Sequence, residues 1–171
     1  MLSETEIINR VASSPLKTID LAEYLKNEPI AEFDIKKALF QELILREKDF
    51  RQYLKDYDWA AFSGSWVRVH CSADAIVPMW AYMLVSAHVS PVAKGFTFGS
   101  EADLQKLIIT DILKKLSKEF ENAKVVIKGC SSLLVPEFAY LEATKHFQPV
   151  VSSLMYGEPC STVPIFKSPK K

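Results

Sequence analysis

The chain has 171 residues, 49% hydrophobic and 25% charged, which is enough apolar material for one soluble domain with a core of its own and no need of metal or disulfide staples. Twenty-one basic and twenty-one acidic residues cancel, so no bulk field draws the protein to nucleic acid or to an anionic membrane. No apolar run approaches the roughly 18 to 20 residues of a membrane span, and Met1 to Arg10 carries acidic residues where an export signal has a positive start and an apolar core. A cytoplasmic protein with neither nucleic-acid nor membrane partners is expected.

In chain order, Glu4 to Ala12 reads as a short helix behind the cap Ser3, stopped by Ser13-Ser14-Pro15. Leu16 to Leu21 and Ala31 to Ile35 read as strands forming a small antiparallel or edge pair, and Asp34 to Phe40 as a capped helical turn. In Arg46 to Tyr57 the residues Phe50, Tyr53, Leu54 and Tyr57 recur at helical spacing, and the charges between them make a solvated outer face. Trp59, Phe62 and Trp66 are assigned to packing rather than to base stacking. From Ser63 the pattern alternates: strand Trp66 to His70, helix Val77 to His88, strand Gly95 to Phe98, helix Asp103 to Phe120, strand Val125 to Lys128 and helix Val135 to Phe147. Strands alternating with helices predict a single α/β domain with a central, mostly parallel sheet flanked by helices. Within it, residues 1–62 supply N-terminal strands and helices, 63–148 repeated βα units, and 149–171 a cysteine-containing loop and a polar tail.

The repeat is the most informative feature. Trp66 to Tyr82, WVRVHCSADAIVPMWAY, is echoed by Lys124 to Tyr140, KVVIKGCSSLLVPEFAY, and a compressed third version runs from Cys160 to Pro164, CSTVP. All three cysteines of the chain therefore sit in a Cys-Ser followed by Val-Pro. In the two full copies the apolar run suits a strand and the proline suits a helix start, which places Cys71 and Cys130 at strand ends. Ligands of open α/β sheets bind beyond the carboxyl ends of the strands, and helix N-termini there favour thiolates. Adjacent parallel βα units would put Cys71 and Cys130 in one crevice, with Cys160 folding back from the turn Tyr156-Gly157-Glu158-Pro159 to join them.

An odd number of cysteines argues against a disulfide framework. Three thiolates fit zinc or iron, with a fourth position left open or filled by Glu158 or Asp74. The metal reading thus names Cys71, Cys130, Cys160, Glu158 and Asp74. No C-x-x-C pair is present, and a thiol enzyme or persulfide carrier, a partner-binding module, and cysteines that merely pack remain as alternatives. His70 neighbours Cys71, but adjacent strand residues face opposite ways, so it is assigned to packing against a helix. His88 and His146 fall late in their helices and are given structural roles. Ser72, Ser131 and Ser161 have no nucleophile elbow around them and are assigned to hydrogen bonds that tune or cap. Tyr82 and Tyr140 are assigned to packing, and Gly129 to a close backbone approach. Rossmann and P-loop fingerprints are absent.

The segments CSADAIVPMWAYM, KGCSSLLVPEFAY and MYGEPCSTVP, with EIINRVASSPLKTIDL and ELILREKDFR, resemble the DUF2480 family over nearly the whole chain. The resemblance implies no assigned chemistry. It implies a setting near iron–sulfur cluster assembly, with iron–sulfur assembly proteins as partners and a role as an accessory factor in iron–sulfur or thiol metabolism.

Overall fold

A computed structural model describes residues 16–25, 28–129, 135–158 and 160–169, and has seven strands and five α-helices among them. In chain order these are β1 (Leu16–Ile19), α1 (Leu21–Tyr24), β2 (Ile30–Asp34), α2 (Glu47–Asp56), β3 (Trp66–His70), α3 (Met79–Val89), β4 (Gly95–Phe98), α4 (Glu101–Leu116), β5 (Lys124–Ile127), α5 (Glu137–Phe147), β6 (Ser153–Glu158) and β7 (Ser161–Lys167). The α/β class and the mostly parallel pairing are as expected. The strands, however, form two sheets, and the chain forms two compact units: Asn27–Ile109, and Met1–Lys26 with Thr110–Lys171. The helix expected over Glu4 to Ala12 lies outside the described residues.

In the unit Asn27–Ile109 the sheet order is β2-β3-β4, all parallel. Alternation along β3 sends Val67 and Val69 into the core with Phe33 of β2 and with Val77, Ala81, Val85 and Val89 from α3 and the loop before it. Phe50 and Leu54 bury the apolar stripe of α2, while Arg51 pairs with Glu47 at 2.9 Å and Gln52 with Asp56 at 2.8 Å on its solvated face. Such exposed pairs contribute only about 0.2 to 0.5 kcal/mol each, so α2 is held by its buried stripe. Trp59 lies half-buried, stacked on Phe33 at 5.1 Å and on His88 at 5.0 Å.

In the other unit the order is β1-β5-β6-β7, with β1, β5 and β6 parallel and β7 antiparallel to β6. Ile19, Val125, Val126, Ile127, Ala139, Ala143, Phe147 and Leu154 are buried. The first two strands therefore do not pair with each other as the sequence suggests: β1 joins β5 and β2 joins β3. Parallel partners need a long crossover, and a four-residue run such as LKTI does not specify which distant strand supplies it.

The polar tail is a second correction. Residues 161–167 form β7, the edge strand of its sheet. Pro164 argues against a strand, but an edge strand tolerates a residue without an N–H, and the register shift between Leu154 and Met155 accommodates it.

Glu142 of α5 is one of the few buried charged residues, at 8% exposure. It accepts from Thr110 Oγ1 at 3.2 Å, from Lys145 Nζ at 3.0 Å and approaches His146 Nε2 at 3.2 Å. Burial alone pushes its pKa up, but Lys145, Thr110 and His146 outweigh it and hold the carboxyl below the usual glutamate value. A depressed folded pKa contributes stability that is full above the unfolded value, about 4.3, and is lost as pH falls through the folded one. Glu142→Gln should therefore lower Tm at pH 7, with the gap to the parent closing below about pH 4. A gap of equal size at pH 3 and pH 7 in thermal melts would show that the charge is not its source.

Candidate functional site

The repeat seen in the sequence extends through the fold. β3, α3 and β4 correspond to β5, α5 and β6 at one constant displacement, so that Trp66 matches Lys124, Met79 matches Glu137 and Gly95 matches Ser153. The preceding strands match too. Ile30 pairs with Trp66 as Leu16 pairs with Lys124, and each of these strands leads into an aspartate, Asp34 or Asp20. Both helices start behind a proline at the cap, Pro78 and Pro136. The strand-to-helix element is thus one half of a duplicated βαβ unit, and the carboxyl edges of the two sheets are equivalent places; at this displacement Cys71 matches Gly129 and Ser72 matches Cys130, so the two Cys-Ser pairs are one residue out of step.

At the edge of the β2-β3-β4 sheet, Cys71 leaves β3 half-buried and packs against the hydrophobic cluster of its unit. Its Sγ donates to Ala73 O at 3.6 Å. Ser72, exposed, donates from its backbone N–H to Asp34 Oδ1 at 3.0 Å and from Oγ to Asp34 Oδ2 at 2.6 Å. Asp34 Oδ1 also accepts from Lys36 N at 3.0 Å, an aspartate turn that starts the 3-10 segment Ile35–Ala38. Burial pushes the Asp34 carboxyl up, but these donors from Ser72 and Lys36 outweigh it and hold its pKa below the ordinary value. Tyr82 turns its ring edge to Phe98 at 5.0 Å, and burial, followed by the charge of Cys71, raises its phenol pKa. Asp74 is exposed in the loop before α3.

His70 takes the opposite face from Cys71, as strand alternation requires. Its Nε2 is buried and lies 3.4 Å from Glu32 Oε2 on the neighbouring strand, with no hydrogen bond among the described residues. The neighbour it meets there is thus a carboxylate on β2. Ser72 does make hydrogen bonds, and its acceptor is Asp34, a residue outside the expected set. The available signal is the shared pattern of an aspartate closing the first strand of each unit before an aliphatic residue, Asp20-Leu21 and Asp34-Ile35.

At the edge of the other sheet, Asp20 Oδ1 accepts from Ala22 N at 3.0 Å, and Lys128 Nζ lies 3.3 Å from Asp20 Oδ2. Gly129 supplies the expected close approach: a Cβ there would meet Tyr156 Oη at 3.0 Å. Tyr156 in turn stands edge-on to Tyr140 at 5.7 Å, the counterpart of the Tyr82–Phe98 pair. Tyr82 and Tyr140 therefore each meet an aromatic ring at the equivalent position of the third strand of its unit, Phe98 or Tyr156.

Glu158 is the last residue of β6, opposite Ser161, and Cys160 sits exposed in the two-residue link between β6 and β7. Glu158 Oε1 is buried and has no hydrogen-bond partner among the described residues. A buried polar atom without a partner is costly, so this carboxylate is the strongest sign of an additional bonding demand at that edge.

Cys130 and Ser131 lie outside the described residues. The fold brings Glu158 and Cys160 to the carboxyl end of β6, beside the parallel β5 from which Gly129 leads on to Cys130. It does not make β3 and β5 neighbours in one sheet, so adjacent repeat strands, as expected from the sequence, are not what carries Cys71 and Cys130. Among the described residues, no group of three or more His, Cys, Asp or Glu side chains is placed to hold a metal ion. No helix among them is long and apolar enough to cross a membrane.

A family model described as "Protein of unknown function (DUF2480)" matches residues 5–168. No curated protein and no solved structure matches the chain.

Proposed function

From the premise that this chain belongs to the DUF2480 family, we propose that it is a small cytoplasmic metal-binding protein, an accessory factor in iron–sulfur or thiol metabolism that holds zinc or iron through cysteine thiolates. The observation that carries the reading is the buried Oε1 of Glu158, without a hydrogen-bond partner among the described residues, two residues from the exposed thiol of Cys160 and on the strand beside the one leading to Cys130. A carboxylate with thiolates is a donor set that zinc and iron accept, and a cation would relieve the unpaired oxygen. Cys160, Glu158 and Cys130 are the ligands of this edge; Cys71 and Asp74 are the donors offered by the other unit. A bound metal of this kind supplies Lewis acidity or a docking point for sulfur. Cys71 and Cys160 are both free thiols, in keeping with a reducing compartment.

Metal content of protein purified without added metal, measured beside Cys160→Ser, Glu158→Gln and Cys71→Ser, tests the reading. Zinc or iron near one per chain, falling by about tenfold or more in Cys160→Ser and Glu158→Gln, is the expected result. Unchanged content in Cys160→Ser would remove that residue from the ligand set, and metal-free parent protein would end the proposal.

The exposure of Cys160 at a hairpin tip favours a second reading, a thiol or persulfide carrier. A metal-bound thiolate is shielded until the metal is removed, whereas a carrier thiol is alkylated readily in the native protein. Fast labelling of Cys160, the same with and without a chelator, would select the carrier.

A further inference from the structure

We propose that Asp34 is a clamp that keeps the Cys71 thiol turned onto the hydrophobic core, and that releasing the clamp converts a shielded thiol into a reactive one. The clamp crosses from one strand to the loop after its neighbour: Asp34 ends β2, and both its oxygens hold Ser72, through the backbone N–H at 3.0 Å and the hydroxyl at 2.6 Å. Consecutive residues of an extended segment point to opposite sides. Fastening Ser72 outward therefore presses Cys71 inward, where it packs beside the cluster of Phe33, Val69 and Val77. The third bond, from Lys36 N at 3.0 Å, fixes the aspartate itself by making it the first residue of a turn.

The aspartate turn recurs in the other unit. In the other unit Asp20, at the same place behind β1, caps the chain at Ala22 N and holds Lys128 as it leaves β5. The shared part is the strand-end aspartate that accepts from the N–H two residues on; the partner across the sheet differs, Ser72 N and Oγ on Asp34 and Lys128 Nζ on Asp20. The inference deepens the reading above by giving the Cys71 donor a control, and rests on that reading for its purpose alone.

The test uses the full chain, stripped of metal by a chelator and treated with iodoacetamide, with alkylation followed separately on the Cys71 and Cys160 peptides. Asp34→Ala should label at Cys71 about tenfold faster than the parent, because the loop now opens locally at little cost, while the rate at Cys160 stays the same. Ser72→Ala, which keeps one backbone bond, should give a smaller acceleration, and Asp34→Asn, which keeps an acceptor of the same shape, should restore part of the protection. Val85→Ala, a buried substitution in the same core, controls for general loss of stability. Equal labelling of Cys71 in parent, Asp34→Ala and Ser72→Ala would overturn the clamp, as would an acceleration in Val85→Ala matching theirs. If Asp34→Ala fails to fold, Ser72→Ala and Asp34→Asn decide alone. Metal content plays no part in the outcome, so the metal reading and the clamp can fail separately.

Discussion

Phe33→Ala is expected to lower the free energy of unfolding by about 3 to 5 kcal/mol, the range for truncating a buried aromatic. Phe33 is 1% exposed and sits at the centre of an aromatic group, stacked on Trp59 at 5.1 Å and meeting Tyr57 edge-on at 5.1 Å and Tyr53 at 6.4 Å. The surrounding rings are poorly placed to close the gap. Trp59 is tied by its indole N–H to Leu54 O at 2.6 Å and is also stacked on His88, so collapse would break a partly buried hydrogen bond. The cavity therefore persists, and its cost adds to the lost burial. Denaturant unfolding followed by tryptophan fluorescence measures the change. A loss under about 1 kcal/mol would mean that the aromatic group is not the anchor of this unit. Since Phe33 is the residue before Asp34, the same variant should also loosen the Ser72 loop.

Gly157→Ala should produce the second large effect, confined to the hairpin that carries Glu158 and Cys160. Gly157 has φ +119, a conformation that side chains rarely adopt, and a Cβ there would lie 2.7 Å from the Ser161 carbonyl oxygen. The obstacle is backbone of the partner strand, which cannot swing aside as a side chain can. Backbone strain of this kind costs about 1 to 3 kcal/mol, and the contact adds to it. β7 is an edge strand with pairing on one side only, so it should yield before the rest of the sheet. Hydrogen exchange should show protection lost across Ser161 to Lys167 while the amides of Val125 to Ile127 keep theirs. Equal protection of β7 in both proteins would show that the turn tolerates the methyl group and that Gly157 is not what shapes it.

The strands, helices and strand-Cys-Ser-helix repeat were legible because each rests on local pattern: WVRVH and KVVI alternate or run apolar, Pro78 and Pro136 mark helix starts, and the aromatic stripe of α2 recurs at helical spacing. Partner choice was not legible. The pattern that makes β3 and β5 alike says nothing of whether they lie in one sheet, and the pairing of β1 with β5 spans a whole intervening unit. β7 was hidden by Pro164, whose meaning reverses between a central strand and an edge. The opposed facing of His70 and Cys71 followed from period two alone. The Asp34–Ser72 contact could not, because it exists only in the parallel register that sets Asp34 beside His70. The proposed donors Cys71, Cys130, Cys160, Glu158 and Asp74 could be named from residue type and spacing, whereas only three-dimensional structure could reveal that Glu158 Oε1 is buried without a partner among the described residues.

Titration of the reduced, metal-stripped protein with cobalt(II) tests the central claim most directly, since thiolate ligation of cobalt gives an intense charge-transfer absorption that carboxylates alone do not. The account predicts such a band, saturating near one cobalt per chain, displaced by zinc and strongly reduced in Cys160→Ser and Glu158→Gln. Absence of the band in the parent protein, with cobalt bound weakly or not at all, would contradict it.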